Sequence, residues 1–238
     1  MTESRRNPEQ TRFTSSGMAS LRFVAQRGLL KPLVWRLTKV TVKGKERLAT
    51  LDGPFIAVAN HSSHLDAPLM FGSMPREKAR YLAAGAAADY FFDVKWRKWL
   101  TALFFNAFPV DRAGSRTRPG VSKKLLDLGV PLLIFPEGGR SKDGTLGRFK
   151  AGAAALSMSA GVPCVPVALV GASAAMPRGR NWPLPGRMPV TVVFGSPMRG
   201  LEGESADDFA KRLHDAVRDL HLSEAPLPVA SGAKKGTR

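Results

Sequence analysis

Apolar and polar residues along this chain follow two rhythms that together predict a layered α/β domain. Seven short runs rich in valine, isoleucine, leucine and phenylalanine are bounded by turn residues, as buried strands are. Between them lie longer segments with apolar residues at three- and four-residue steps, which is typical of amphipathic helices. This alternation predicts a mixed, largely parallel seven-stranded sheet flanked by helices. The predicted strands are Lys39–Lys43, Pro54–Ala59, Arg80–Ala83, Asn106–Val110, Leu132–Phe135, Cys164–Val170 and Val190–Phe194.

Helical patterns fill most of the segments between these strands. The last helix follows Ser205, a residue type that commonly caps helices. Beyond Leu222 the chain is rich in proline, glycine, serine and lysine, which is typical of disorder. We therefore predict an N-terminal segment at 1–48, one globular domain at 49–222 and a disordered tail at 223–238. The predicted helices of the domain are Asp66–Met74, Val94–Phe104, Arg116–Leu128, Lys150–Ala160 and Ala206–Leu220.

Residues 17–40 carry an amphipathic, strongly basic helical pattern that is interrupted near Pro32. Apolar residues such as Leu21 and Leu29 follow helical steps with basic residues between them, and Trp35 occupies a position suited to a membrane interface. A helix of this kind can lie in the headgroup layer of a bilayer, although the pattern also fits a solvated helix packed on the domain. We interpret it as a membrane-association segment.

The charge of the chain supports an anionic partner. The 238 residues include 36 Lys and Arg against 19 Asp and Glu, for a net charge of +17. Both an anionic membrane surface and a nucleic acid fit this balance, but no nucleic-acid-binding motif is recognisable. No apolar run reaches the ~18 residues of a spanning helix, and the basic N-terminus lacks the apolar core of a signal peptide. We expect a peripheral or monotopic protein at the cytoplasmic face of the cell membrane.

One junction between a strand and a turn carries the residues of a general base. The strand ending at Ala59 runs into the sequence NHSSHLD at 60–66, and such strand ends are where α/β folds collect functional residues. The spacing of His61 and Asp66 allows the carboxylate to fold back on the imidazole, leaving the other ring nitrogen free to accept a hydroxyl proton. No G-x-S-x-G elbow is present, and the single cysteine, Cys164, lies in an apolar run. The sequence therefore predicts direct attack by a substrate hydroxyl, without a covalent enzyme intermediate.

A second polar cluster follows another predicted strand. In the sequence FPEGGRS at 135–141, two glycines let backbone N–H groups approach an anion, and Arg140 can bind phosphate oxygens. Lys150 stands at the start of a helix, and helix N-termini bind anions. Arg112 lies just outside a third strand. Beside a His-Asp pair, these groups fit a base-catalysed transfer onto a phosphorylated acceptor.

Four ordered blocks of this chain resemble the glycerophospholipid acyltransferase family, whose best-known members are 1-acylglycerol-3-phosphate acyltransferases. The blocks are NHSSHLD at 60–66, FPVDR at 108–112, FPEGGRS at 135–141 and VPCVPVAL at 162–169. One N-H-x4-D string alone is a weak signal, whereas four blocks in order at strand ends are specific. The chain departs from the family pattern at Gly139, where threonine is usual, and this leaves the identity of the acceptor open.

The resemblance implies that the domain at 49–222 is catalytic, with His61 as general base and Asp66 as its partner. It implies transfer of a fatty acyl group from acyl-CoA or acyl carrier protein to 1-acyl-glycerol-3-phosphate, with no metal and no prosthetic group. Glu137 could instead anchor the turn by accepting backbone N–H bonds. The predicted substrate-binding residues are Arg112, Glu137, Gly138, Arg140 and Lys150.

Two other functions are compatible with parts of the sequence. An acyltransferase of the same fold could act on another lyso-lipid, on a glycolipid or on water. A basic nucleic-acid-binding module would use the charge but would leave the His-Asp pair without a role.

Overall fold

The computed structural model describes residues 13–87, 103–110 and 120–224. The strands are β1 (Lys39–Lys43), β2 (Ile56–Ala59), β3 (Ala83–Ala87), β4 (Phe108–Val110), β5 (Leu132–Ile134), β6 (Cys164–Val170) and β7 (Pro189–Phe194). They form one sheet in the order β1-β7-β6-β2-β5-β3-β4. Only the pairing of β6 with β7 is antiparallel among these strands. The prediction of a mixed, largely parallel sheet is confirmed.

Helices connect these strands, and most begin close to their predicted positions. The final helix begins after Ser205, whose hydroxyl accepts the backbone N–H of Asp208, as predicted for an N-cap. The α-helices are α1 (Ser16–Ala25), α2 (Lys31–Leu37), α3 (Asp66–Ser73), α4 (Arg76–Ala79), α5 (Val121–Asp127), α6 (Gly152–Ala160), α7 (Ala172–Ala175) and α8 (Ala206–Leu222).

Strand β2 lies in the middle of the sheet and is buried on both faces. Its side chains alternate between two apolar clusters: Ala57 and Ala59 pack with residues of α2 and α3, whereas Ile56 and Val58 pack with residues of α6 and α8. All four residues are 0% exposed. Packing on both faces therefore fixes the carboxyl end of β2, which leads into the turn that carries His61.

Four predicted strands begin at other residues than expected. Strand β2 begins at Ile56 instead of Pro54, and β7 begins at Pro189 instead of Val190. The third strand, predicted at Arg80–Ala83, runs instead from Ala83 to Ala87. Its small residues have little strand propensity, but pairing with β5 and β4 imposes the extended conformation. The fourth strand begins at Phe108 because Asn106 has a left-handed φ of 49°, which a strand does not accommodate.

The N-terminal segment is helical, and its predicted interruption has the form of a π-helical turn. This turn spans Gln26–Leu30 between α1 and α2, and the backbone N–H of Lys31 donates to the carbonyl of Gln26. Pro32 follows in the first turn of α2, where its missing N–H is tolerated. Trp35 is only partly exposed, because its ring lies over Gly72 of α3.

Several predictions fall on residues outside the described ranges: Arg112, most of the helix at Val94–Phe104, and the tail beyond residue 224. The helix predicted from Arg116 has Gly120, with a left-handed φ of 91°, as its N-cap and begins at Val121. Strand β1 lies within the predicted segment 1–48 and forms an edge of the sheet; the bounds at 48 and 222 stay predictions. Within the described ranges, no helix is both long and apolar enough to span a bilayer.

Candidate active site

The candidate site is built where parallel strands β2 and β5 end side by side. Because β2 pairs in parallel with both β5 and β6, all three carboxyl ends lie at the same edge of the sheet. Asn60, the residue after β2, fastens this edge: its side-chain amide donates to the carbonyl of Leu169 at 3.0 Å and accepts the N–H of Leu169 at 2.7 Å. The backbone that leads into His61 is therefore fixed to the neighbouring strand.

His61 and Asp66 are in direct contact, as their spacing predicts. The Nδ1 atom of the ring lies 2.8 Å from Oδ2 of Asp66. An ionised carboxylate can only accept, so Nδ1 carries the proton and Nε2 is the acceptor nitrogen of the neutral ring. The imidazole is 22% exposed, whereas the carboxylate is 0% exposed. This is the arrangement in which a buried acid orients a base that an outside hydroxyl can reach.

The carboxylate of Asp66 also organises the turn that presents His61. Its Oδ2 atom accepts the backbone N–H groups of Ser62 at 2.6 Å and Ser63 at 2.8 Å. The hydroxyl of Ser63 in turn donates to the carbonyl of Met176 at 2.9 Å. The second oxygen of Asp66, Oδ1, is buried and has no hydrogen-bond partner in the described part of the chain. Three donors thus converge on the oxygen that contacts the imidazole.

Phe135 supports the ring of His61 from the neighbouring strand end. The two ring centroids are 4.2 Å apart and the ring planes differ by 19°, a stacked geometry. Sequence reasoning did not single out Phe135 as a partner of the base. The contact joins residues just beyond the ends of β2 and β5, and the adjacency of these two strands brings them together.

Glu137 holds the backbone of the turn that carries His61. Its Oε1 atom accepts the N–H of His61 at 2.8 Å, and its Oε2 atom accepts the N–H of Gly147 at 3.2 Å. A hydrogen bond of 2.8 Å from the N–H of Ser141 to the carbonyl of His61 ties the same two segments together. Burial raises the pKa of Glu137, and the two backbone N–H bonds act against that rise. The sequence left two roles open for Glu137, substrate binding and anchoring of the turn. These contacts fit the anchoring role.

Replacing Glu137 by glutamine is expected to destabilise the fold and to slow the reaction. The amide keeps one acceptor oxygen, so one of the two backbone N–H groups loses its partner at a cost of ~1–3 kcal/mol. If His61 serves as the predicted base, its displacement should lower the reaction rate by about 10-fold, at 1.4 kcal/mol per factor of ten. Urea unfolding and steady-state rates measure the two effects. The exposed Glu202 provides the matched Glu202→Gln control, and equal stability of both variants would contradict the anchoring role.

The glycine turn and its cations lie beside this anchor. Gly138 has a left-handed φ of 74°, a conformation that favours glycine. The Nζ atom of Lys150 would lie 2.9 Å from a Cβ atom added there, so this ammonium lies directly over the glycine. The Nη1 atom of Arg140 is buried and has no hydrogen-bond partner among the described residues. Burial, together with the nearby positive charge of Arg140, lowers the pKa of His64. An unsatisfied guanidinium nitrogen here is suited to an anionic ligand.

The structure brings together most of the predicted site. His61, Asp66 and Glu137 form one hydrogen-bonded unit, and Lys150 lies over Gly138. Cys164 is 0% exposed in β6, and burial raises the pKa of its thiol to about 12, so it is unsuited to act as a nucleophile at neutral pH. Asn60, Phe135 and Gly147 also support the site. Asn60 and Phe135 lie within the quoted sequence blocks, but the contacts of all three with other segments were not predicted.

Comparison with known proteins identifies the class to which this fold and site belong. A family model described as Acyltransferase matches residues 39–170, more than half of the chain. The chain belongs to the glycerophospholipid acyltransferase family, as its four sequence blocks predict.

Individual relatives agree with this classification. The chain is 32% identical over 198 residues to a 1-acyl-sn-glycerol-3-phosphate acyltransferase of Chlamydomonas reinhardtii, a match that covers 82% of this chain and 55% of the relative. It is 29% identical to the chloroplastic acyltransferase LPAT1 of Arabidopsis thaliana over 72% of this chain and 47% of the relative. The chain thus spans about half the length of these relatives.

A solved structure shares the fold. The crystal structure of the 1-acyl-sn-glycerophosphate acyltransferase PlsC from Thermotoga maritima superposes with a TM-score of 0.68 at 26% sequence identity. The match covers 94% of this chain and 86% of that protein.

Proposed function

We propose that this protein transfers a fatty acyl group from acyl-CoA, or from acyl carrier protein, to the hydroxyl of 1-acyl-glycerol-3-phosphate, and so makes phosphatidic acid. The observation that carries this proposal is the 2.8 Å contact between His61 and Asp66 at the sheet edge. The relatives are named as acyltransferases of 1-acyl-glycerol-3-phosphate, and this supports the choice of acceptor.

In the proposed reaction, the Nε2 atom of His61 takes the proton from the acceptor hydroxyl as its oxygen attacks the thioester carbonyl. A C–O bond forms, and the C–S bond breaks when the tetrahedral intermediate collapses. The leaving thiolate takes the proton back from the imidazolium, which restores the neutral ring. Asp66 holds the tautomer and stabilises the imidazolium while it exists. No metal or prosthetic group takes part in this scheme.

The acceptor phosphate would be bound by the cations around the glycine turn. Arg140 offers a buried nitrogen without a partner, and the ammonium of Lys150 lies close to Gly138. Arg112 is proposed to bind the same phosphate, because it lies in the block FPVDR at 108–112, one of the four that resemble the family. Glu137 would act mainly by positioning His61, because both of its oxygens already accept backbone N–H groups.

A panel of acceptors tests the proposed substrate. With one labelled acyl-CoA, we expect 1-acyl-glycerol-3-phosphate to be converted at least about 10-fold faster than lysophosphatidylcholine, because a net anionic headgroup matches the cationic turn and each tenfold is 1.4 kcal/mol. Faster acylation of another lyso-lipid or a glycolipid would redirect the proposal within the family. Release of free fatty acid as the main product would indicate a hydrolase and would contradict it.

Gly139 gives this panel a matched variant. A Cβ atom added at Gly139 would meet no atom of the described residues within 4 Å, so the backbone leaves room for the Cβ atom of Gly139→Thr. A shift in the ratio of rates for two acceptors in this variant would identify position 139 as part of acceptor selection.

We further propose that α1, the π-helical turn and α2 bind the surface of an anionic membrane at the cytoplasmic face of the cell. The apolar residues of this segment point outward: Leu21 is 53%, Val24 65% and Leu29 61% exposed. The side chains of Arg22 and Gln26, by contrast, are buried on the other side of the helix. A helix with apolar residues outside and polar residues inside is suited to a surface more apolar than water.

Removing these exposed apolar side chains should weaken membrane binding and spare the fold. For the triple variant Leu21→Ser, Val24→Ser and Leu29→Ser we expect at least about a 100-fold loss of affinity for phospholipid vesicles, since burial of each such side chain contributes ~1.5–3 kcal/mol. The melting temperature should not fall, because the three side chains are largely exposed. Vesicle cosedimentation and thermal unfolding measure both. The exposed Leu201 and Leu222, replaced by serine, serve as the control, and equal binding losses in the two variants would contradict the proposal.

A further inference from the structure

A cationic pocket lies where the N-terminal helices pack on α3 and α4. It has a volume of about 460 Å³ and is lined by Arg27, Lys31, Pro32, Trp35 and Arg76. It lies near the carboxyl end of α3, where the ring of Trp35 covers Gly72, whereas Asp66 begins that helix. The helical rise of 1.5 Å per residue separates the two ends by ~10 Å. The pocket is thus distinct from the His61 site.

The walls of the cationic pocket concentrate positive charge without an acidic side chain. Burial, with the charge of Arg76 in addition, lowers the pKa of Arg27. Burial likewise lowers the pKa of Lys31, to which Arg27 and Lys45 add. In the described part of the chain, the three lining cations form no ion pair with a carboxylate. Like charges held together in this way favour binding of an anion.

Neighbouring groups hold these three cations in place around the pocket. The guanidinium of Arg27 is fixed by hydrogen bonds to the carbonyls of Gly72 at 3.1 Å and Met74 at 2.6 Å. The ammonium of Lys31 lies 5.0 Å from the centroid of the Trp35 ring, and the guanidinium of Arg76 lies 5.4 Å from that of Phe23. Arg27 is therefore a fixed part of the wall, and the other two cations rest on aromatic rings.

The surroundings of the pocket indicate a ligand that has apolar chains as well as an anionic group. Pro32 and Trp35 provide apolar wall, and Pro32 is exposed beside Leu33, which is 39% exposed. Leu33 extends the row of exposed apolar residues that contains Val24 and Leu29. The π-helical turn at Gln26–Leu30 adds one residue to a turn of helix. Val24 before this turn and Leu33 after it are both exposed.

We infer that the cationic pocket binds the phosphate headgroup of an anionic membrane phospholipid, whose acyl chains remain in the bilayer. This inference rests on the proposed membrane association. Lys31, Arg76 and Arg27 surround the phosphate, and the exposed apolar row contacts the adjacent acyl region. Bound lipid would hold the N-terminal helices in one orientation at the membrane. The His61 site would then lie at a fixed distance from the membrane surface.

Calorimetric titration of the full chain with monomeric dihexanoyl-phosphatidylglycerol tests the pocket without a membrane. We expect one saturable site in the wild type and at least 10-fold weaker binding in the double variant Lys31→Gln, Arg76→Gln. Neither side chain makes a hydrogen bond within the described residues, so the fold should persist, and thermal unfolding verifies this. The control Arg36→Gln, Lys39→Gln removes the same charge from exposed positions outside the pocket and should bind within about 2-fold of the wild type, since its cations make no contact with the phosphate.

Other ligands distinguish the source of the phosphate. Glycerol-1-phosphate should bind at least 10-fold more weakly than the short-chain lipid; equal affinity would overturn the lipid assignment in favour of a free phosphate compound. If the pocket variant and the control variant lose the same affinity for the short-chain lipid, the loss reflects overall charge alone. That result would overturn the proposed lipid site.

Vesicles of 70% phosphatidylcholine and 30% phosphatidylglycerol provide the second arm. Wild-type protein should cosediment with them, and the pocket variant should require at least 10-fold more lipid. Failure of the wild type to cosediment would overturn membrane association and the lipid occupant together. Acyl transfer is measured in a separate assay, so its failure would be recognised independently.

Discussion

Replacing His61 by alanine is expected to lower the rate of acyl transfer by about 10³-fold or more, because general-base catalysis by a positioned side chain contributes 10²–10⁴-fold. The loss should appear in kcat, since the imidazole acts on the hydroxyl proton in the transition state and contributes little to holding the substrates. Steady-state rates with saturating acyl-CoA and 1-acyl-glycerol-3-phosphate measure it.

The chain contains its own control for this experiment. His214 and Asp215 on α8 form a second histidine-aspartate contact, with 3.4 Å between Nδ1 and Oδ1. Within the described residues the ring of His214 meets that of Phe149, with 5.2 Å between the centroids, but His214 and Asp215 make no hydrogen bond with the turn at 60–66. His214→Ala should therefore retain a rate within about 2-fold of the wild type, a range that corresponds to only a few tenths of a kcal/mol. An alanine variant at position 61 that keeps full activity would remove the basis of the proposed mechanism.

Replacing Asp66 by asparagine should reduce kcat by about 10²–10⁴-fold, with a smaller change in KM. The neutral amide no longer stabilises the imidazolium, and it can present an N–H where the ring requires an acceptor. Because Oδ2 of Asp66 also accepts the N–H groups of Ser62 and Ser63, the variant should lose ~1–3 kcal/mol of unfolding free energy as well. Rates and denaturant unfolding on the same preparation separate the two effects.

The control is Asp215→Asn, which neutralises a carboxylate beside a histidine at the protein surface. It should change neither quantity appreciably. A variant of Asp66 that loses stability but keeps its rate would show that the carboxylate serves the turn alone, and the orienting role would have to be abandoned.

Much of the fold was predictable because its strands are encoded locally. Strands β1 and β6 have the predicted bounds, since each is a run of β-branched or apolar residues between turn residues. The third strand was misplaced because AAGAA carries no such pattern and is extended through its pairing with β5 and β4. The left-handed Asn106 and the π-helical turn at Gln26–Leu30 likewise reflect packing that a periodic pattern does not encode.

The candidate site divides in the same way. The contact of His61 with Asp66 was predictable because five residues separate the two, and one turn can close that distance. The N–H bond from His61 to Glu137 joins residues 76 positions apart, and the stacking of Phe135 on the imidazole depends on the neighbouring ends of β2 and β5. Such contacts follow from strand order, which the linear sequence leaves undetermined.

The most direct test of the account is a rapid-mixing experiment in which intact-protein mass and lipid products are followed together after addition of acyl-CoA. Without 1-acyl-glycerol-3-phosphate, we expect the mass of the protein to stay unchanged, since the acyl group passes straight to the acceptor hydroxyl. When the acceptor is added, phosphatidic acid should form in the wild type at a rate at least ~10³-fold above that of His61→Ala. An acyl group covalently attached to the protein before the acceptor is added, and released when it arrives, would contradict direct transfer by His61.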